Sequence, residues 1–115
     1  MPAPSKESVH RSMKRLFKNY VRMCRRRNVF WELTLEQFQS LTSGKCAYCG
    51  TDPAQVSRSY KYNGIDRKDN LKGYSPGNCV PACKGCNFLK GDRLSFDEMV
   101  VVAQALIRFR QRRTI

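Results

Sequence analysis

Six cysteines carry the first chemical signal in this sequence: Cys24, Cys46, Cys49, Cys79, Cys83 and Cys86. Four of them form two C-x-x-C pairs, Cys46-Ala-Tyr-Cys49 and Cys83-Lys-Gly-Cys86. This spacing places two thiolates on one turn, at the bite distance of a single metal ion. Residues 50–82 separate the pairs, enough chain for the second to fold back and complete a four-sulfur shell. The pattern reads as one tetrahedral structural zinc site. A disulfide framework is the weaker reading, because the opening Met-Pro-Ala-Pro-Ser-Lys-Glu has no apolar signal core. A thioredoxin-like redox pair would come with a βαβ pattern, which the sequence lacks. Cys24 and Cys79 stand outside the pairs and are given no role beyond that of small buried apolar residues.

Between the knuckles runs Asn63-Gly64-Ile65-Asp66-Arg67-Lys68-Asp69-Asn70, followed by Gly73-Tyr74, Asn78, Cys86-Asn87 and Lys90. The expected order is strand, loop, strand, knuckle, short helix. Taken singly, Asp66 could cap a turn or pair with Arg67 or Lys68, and Asn78 and Asn87 are ordinary turn and N-cap residues. Taken together, in this order and inside the cysteine frame, they resemble the HNH nucleases, also called the ββα-metal or His-Me finger superfamily. The zinc-stapled phage and viral members are the most similar. The resemblance covers about residues 44–92.

The resemblance implies a catalytic divalent metal, Mg²⁺ or Mn²⁺, held by Asp66 at the end of the first strand and Asn87 at the start of the helix. A carboxylate and an amide oxygen suit such hard cations. Asn78 matches the family's middle asparagine, which holds the loop that orients the base. Lys90 matches the C-N-x-x-K ending and would touch a phosphate or support the fold. One position departs from the pattern. The family's water-activating histidine normally follows the aspartate, and here that residue is Arg67. Arginine stays protonated and cannot act as a general base near neutral pH. The sole histidine, His10, lies in another segment.

Three functional readings follow. In the first, the domain is a metal-dependent DNA endonuclease. Another group (Tyr60, Tyr62, Asp69 or Tyr74) activates water, and Arg67 stabilises charge on the phosphate. In the second, catalysis is lost and the domain binds DNA or RNA. In the third, it is a basic scaffold subunit of a larger assembly. The tyrosines could equally pack in the core or stack on bases.

The surrounding elements must position these groups. In the 115 residues, 22 Lys and Arg oppose 9 Asp and Glu, a formal net charge of +13. That length suits one domain, 1–115, and the charge points to nucleic acid, with DNA the expected partner and RNA the alternative. No apolar run approaches a membrane span, so no membrane partner is expected. A reducing, cytoplasmic compartment is expected, for instance for a phage-encoded protein in a bacterial host. From Ser5 to Arg27, Val9, Met13, Leu16, Phe17, Tyr20, Val21 and Cys24 recur at helical spacing. Arg11, Lys14, Arg15, Lys18, Arg22, Arg25 and Arg26 form the opposite, phosphate-tracking face, and Lys68 joins them from the central loop.

Asn28–Leu33 reads as a connection or short strand containing Trp31. Thr34 and Gln37 form a capping box for a short helix ending near Gly44. Residues 51–59 read as a loop, Tyr60–Arg67 as a strand bent at Asn63-Gly64, and Asn78–Ala82 as its partner. A helical turn is expected around Asn87–Lys90. Ser95 and Glu98 then cap a last helix, 95–113, ending in Arg108, Arg110, Arg112 and Arg113. The expected architecture is α+β: a zinc-stapled, treble-clef-like ββα-metal element (44–92) flanked by an N-terminal basic helix (5–27) and a C-terminal helix. A homodimer or a place in a larger assembly remains open at this point.

Overall fold

A computed structural model describes residues 2–113. The first helix, α1 (Lys6–Arg27), starts on Ser5, whose side chain accepts from the Ser8 amide, and ends on Asn28 in the left-handed region (φ 55°). Helix α2 (Leu35–Thr42) begins with the anticipated capping box: Thr34 Oγ1 accepts from Gln37 N, and Thr34 N donates to the Gln37 side chain. The same device starts the last helix, α4 (Phe96–Arg113), where Ser95 and Glu98 bond reciprocally. Such caps satisfy amides that the first helical turn leaves without partners.

Between α2 and α4 the strands differ from expectation. Gln55–Ser57 is a strand, β1, where a loop was expected. It pairs antiparallel with β2 (Tyr60–Tyr62) across a tip that holds Arg58 at φ 54°. The expected Tyr60–Arg67 strand is two strands in two sheets. The break falls on Asn63, 1% exposed, whose amide donates to Thr42 O and whose side chain donates to Gly44 O and Thr51 O. These three bonds pull the chain off the first hairpin and start β3 (Gly64–Arg67) in the second. Strand β3 pairs antiparallel with β4 (Cys79–Ala82), placing Asp66 opposite Val80 and Arg67 opposite Cys79. A 3₁₀ turn, Pro76–Asn78, precedes β4. Helix α3 spans Lys84–Lys90, beginning three residues before the expected Asn87, because the Cys83 sulfur caps the Cys86 amide.

Two apolar clusters lock the arrangement. In one, Met13 and Leu16 of α1 meet Leu33, Phe38, Tyr60, Ile65 and Cys79. Phe17, Tyr20, Trp31, Phe38 and Tyr74 add edge and tilted ring contacts, with centroids 5.2–6.3 Å apart. In the other, Met99 and Ala103 of α4 cover Cys46, Tyr48 and Ala82. The fold is thus α+β, with the cysteine frame and the β3–β4–α3 unit held between α1 and α4.

Candidate active site

The four knuckle sulfurs all lie within 4.8 Å of one another, and Cys49 Sγ is 3.6 Å from Cys83 Sγ. Tetrahedral metal–sulfur bonds of about 2.3 Å require sulfurs about 3.8 Å apart, so the cluster fits one thiophilic divalent ion. Cys46 arrives from the end of α2, and Cys83 and Cys86 from the first turn of α3. Burial raises the Cys49 thiol, but hydrogen bonds from Thr51, Cys83 and Cys86 outweigh it and bring the group down to about 7. Burial and hydrogen bonds to Cys83 and Cys49 push Cys86 upward. Four thiols this close cannot all ionise without a cation among them.

Beside this frame lies an open cleft. Its walls include Asp66, Arg67, Lys68 and Asp69 from the end of β3, Tyr74 from the loop, and Asn87 from α3, with Tyr20 and Met23 of α1 opposite. The structure therefore brings Asp66, Arg67 and Asn87 to one cavity. The Asn87 amide packs over the start of β3: a Cβ built on Gly64 would lie 3.4 Å from Asn87 Nδ2. Asn78 sits behind the wall, 7% exposed. Its Oδ1 accepts from Asp69 N at 2.9 Å, and its Nδ2 donates to Asp69 O at 3.1 Å and to Gly73 O at 2.9 Å. These bonds hold the loop between Asp69 and Gly73.

Asp66 is itself engaged. It is 5% exposed, its Oδ2 accepts from the Tyr48 hydroxyl, and its Oδ1 accepts from Lys90 Nζ at 3.3 Å. Lys90 also donates to Arg67 O at 3.2 Å and is 1% exposed. Of the two roles expected for Lys90, the burial and these bonds fit support of the fold and not a phosphate contact: its ammonium is an internal counter-ion for Asp66. Burial, and then the hydrogen bond with Asp66, hold Tyr48 firmly in its neutral form. A carboxylate and an amide oxygen are the donor types that a hard divalent ion takes, and Asp66 and Asn87 line the same cleft.

Arg67 is fixed from two sides. Its Nη1 donates to Lys72 O at 2.9 Å, and its guanidinium lies 5.2 Å from the Tyr74 ring centroid. Lys68 remains exposed, with its ammonium 5.0 Å from the Phe96 ring centroid.

Of the groups considered as water activators, Tyr60 is buried and its hydroxyl is 2.6 Å from Thr42 Oγ1. Tyr62 stacks on Tyr60 and is not part of the cleft wall. Tyr74 reaches the cleft, but burial raises its hydroxyl above the ordinary tyrosine value, which disfavours the phenolate. Asp69 lines the cleft. His10 is exposed on α1, beside Lys6 and Met13, away from the cleft wall.

Arg11, Lys14, Arg15, Lys18, Arg22, Arg25 and Arg26 are all exposed on α1. Sequence reasoning did not find Tyr48 or Lys90 as partners of Asp66. The i, i+3 spacing of Asn87 and Lys90 on one helix could have shown that Lys90 shares the Asn87 face; nothing in the sequence marks Tyr48. No described helix is long and apolar enough to cross a membrane.

No family model matches the sequence. Over 76 residues, 66% of the chain, it is 33% identical to the uncharacterised protein R423 of Acanthamoeba polyphaga mimivirus, and the match spans 14% of that viral protein. Among solved structures, the fold is similar to the rare-cutting HNH restriction endonuclease PacI, with a TM-score of 0.70 and 26% identity. That match covers 90% of this chain and 82% of PacI. In fold, and with a four-cysteine frame able to hold a metal ion, the chain is thus similar to an HNH endonuclease.

Proposed function

We propose that this protein is a DNA-binding, metal-dependent endonuclease that hydrolyses phosphodiester bonds. The reading rests on one observation above all: Asp66, Arg67 and Asn87 share a cleft braced by the four-cysteine cluster. The cluster takes zinc, the ion best matched to four thiolates and a tetrahedron. Asp66 and Asn87 hold Mg²⁺ or Mn²⁺. When bound, that ion supplies positive charge to the scissile phosphate and to the leaving 3′ oxygen.

The chain's own groups do the remaining work. Lys90 and Tyr48 fix the Asp66 carboxylate. Arg67, already oriented by Lys72 O and Tyr74, places a permanent positive charge at the phosphate and stabilises it as negative charge grows. Asp69 lines the cleft and orients the attacking water as a weak acceptor, since no histidine stands there. The exposed cations of α1 and Lys68 grip the flanking phosphates. PacI, the similar structure, is described as perturbing DNA, which agrees with a DNA substrate.

A second reading has its own support. Asp66 is already neutralised by Lys90, and Arg67 cannot remove a proton, which suits a module that binds nucleic acid without cutting it. Plasmid cleavage separates the two. Zinc-loaded protein is incubated with supercoiled plasmid in Mg²⁺, in Mn²⁺ and with neither, alongside Asp66→Ala. Nicked or linear products that need the ion and disappear in the variant support the nuclease. Retarded but intact plasmid under every condition rejects it in favour of the binding module.

A further inference from the structure

Leu71 is 96% exposed, the most exposed large apolar residue described. An apolar side chain in water on a loose loop would need no explanation. This loop is not loose. Lys68 N donates to Asn78 O at 2.7 Å and Asp69 N to Asn78 Oδ1 at 2.9 Å. Leu71 N donates to Asp69 Oδ1 at 2.9 Å and Lys72 N to Asp69 O at 3.1 Å. The Arg67 guanidinium ties Lys72 O, and Asn70 Nδ2 reaches Gly91 O at 3.4 Å. Past the tip, Tyr74 N donates to Phe30 O, and a Cβ on Gly73 would lie 2.4 Å from that same oxygen. Only glycine permits so close a backbone approach. Leu71 is therefore held out into solvent by a braced loop. It lies between the exposed cations Lys68 and Lys72, on the rim of the cleft that holds Asp66 and Asn87.

We infer that Leu71 is an apolar wedge that enters the minor groove and partly unstacks a base step beside the phosphate held in the cleft. The inference rests on the reading of this protein as DNA-binding and adds the mode of recognition. Leucine is among the residues that proteins insert between base steps. A wedge must resist being pushed back as bases part, and the backbone bonds around Leu71 provide that stiffness. The flanking lysines neutralise phosphates on either side of the insertion. The exposed side chain has no partner to lose on leaving water, so burial between bases is a gain.

Insertion between base steps unwinds the duplex, and unwinding can be read without knowing a preferred sequence. Zinc-loaded protein is bound to plasmid in magnesium-free buffer, and the plasmid is relaxed with a topoisomerase that needs no metal, deproteinised and resolved by linking number. Duplex affinity is measured in parallel by fluorescence anisotropy. The wild type is expected to lower the linking number in proportion to bound protein. Leu71→Ala is expected to bind within about threefold, because phosphate contacts dominate affinity, but to lose the unwinding. Leu71→Met is expected to restore it. Equal unwinding by Leu71→Ala and the wild type overturns the wedge while leaving DNA binding intact. Bound protein without unwinding, or wild-type self-association abolished by Leu71→Ala, overturns it also, the latter by giving the side chain to a second copy. Failure of the wild type to bind duplex overturns both the wedge and the reading beneath it.

Discussion

Replacing Lys90 by methionine tests how the candidate site is built. Lys90 and the Asp66 side chain are 1% and 6% exposed, with Nζ and Oδ1 3.3 Å apart. Methionine keeps the unbranched stem and removes the charge, so the change isolates the pair. The Asp66 carboxylate would then stay buried with Tyr48 as its remaining side-chain partner. Removing one member of a buried ion pair typically costs about 3–5 kcal/mol. For a domain of this size, 1 kcal/mol corresponds to roughly 4 °C in melting temperature. Lys90→Met should therefore melt roughly 12–20 °C below the wild type in zinc-saturated buffer. Asp66→Asn combined with Lys90→Met removes both charges, and the double-mutant cycle should recover more than half of the loss. The same variant separates an internal role from a phosphate contact. Loss of a phosphate-contacting lysine lowers the salt slope of DNA binding by about one. Lys90→Met should leave that slope unchanged. A melting shift under about 4 °C, or a flattened salt slope, would refute the internal pair.

Two other outcomes are expected. Chelation of the zinc, or Cys46→Ser, should abolish cooperative melting, since metal affinity and folding are coupled when the ligands are far apart in sequence; unchanged melting together with unchanged zinc content would disprove a structural ion. Alkaline pH should also destabilise the fold. Burial raises the Cys79 thiol from 9.0 to about 11, and raises Tyr20 and Tyr48 above the ordinary tyrosine value. The unfolded chain then loses these protons first, so the Cys79 contribution is complete below about pH 9 and is lost as pH rises through about 11, while that of the tyrosines begins to fall only above about pH 10. Urea titrations from pH 8 to 11 should show falling stability, with a shallower fall in Cys79→Ala; a flat profile would contradict the burial of these groups.

The chain announces some of these features and conceals others. Both capping boxes are legible because they depend on residues three apart. The cysteine frame is legible because thiolate spacing within each pair is local, although its closure spans 33 residues or more. Strand β1 is not, since Gln55-Val56-Ser57 is too short for alternation to register. The split between β2 and β3 is also hidden, because it depends on Asn63 reaching Thr42, Gly44 and Thr51, contacts that only tertiary structure makes. Lys90 misleads for a similar reason. A lysine in the last turn of a helix normally faces water, and its burial depends on a carboxylate 24 positions earlier.

The most direct test is cleavage of an end-labelled DNA duplex by zinc-loaded protein, with product ends identified. Wild type in Mn²⁺ should yield fragments bearing 3′-hydroxyl and 5′-phosphate ends, Asp66→Asn should yield none while still binding, and omission of Mn²⁺ should stop the reaction. Duplex that remains intact while saturated with correctly folded wild-type protein would contradict the nuclease and leave an HNH fold that holds DNA without cutting it.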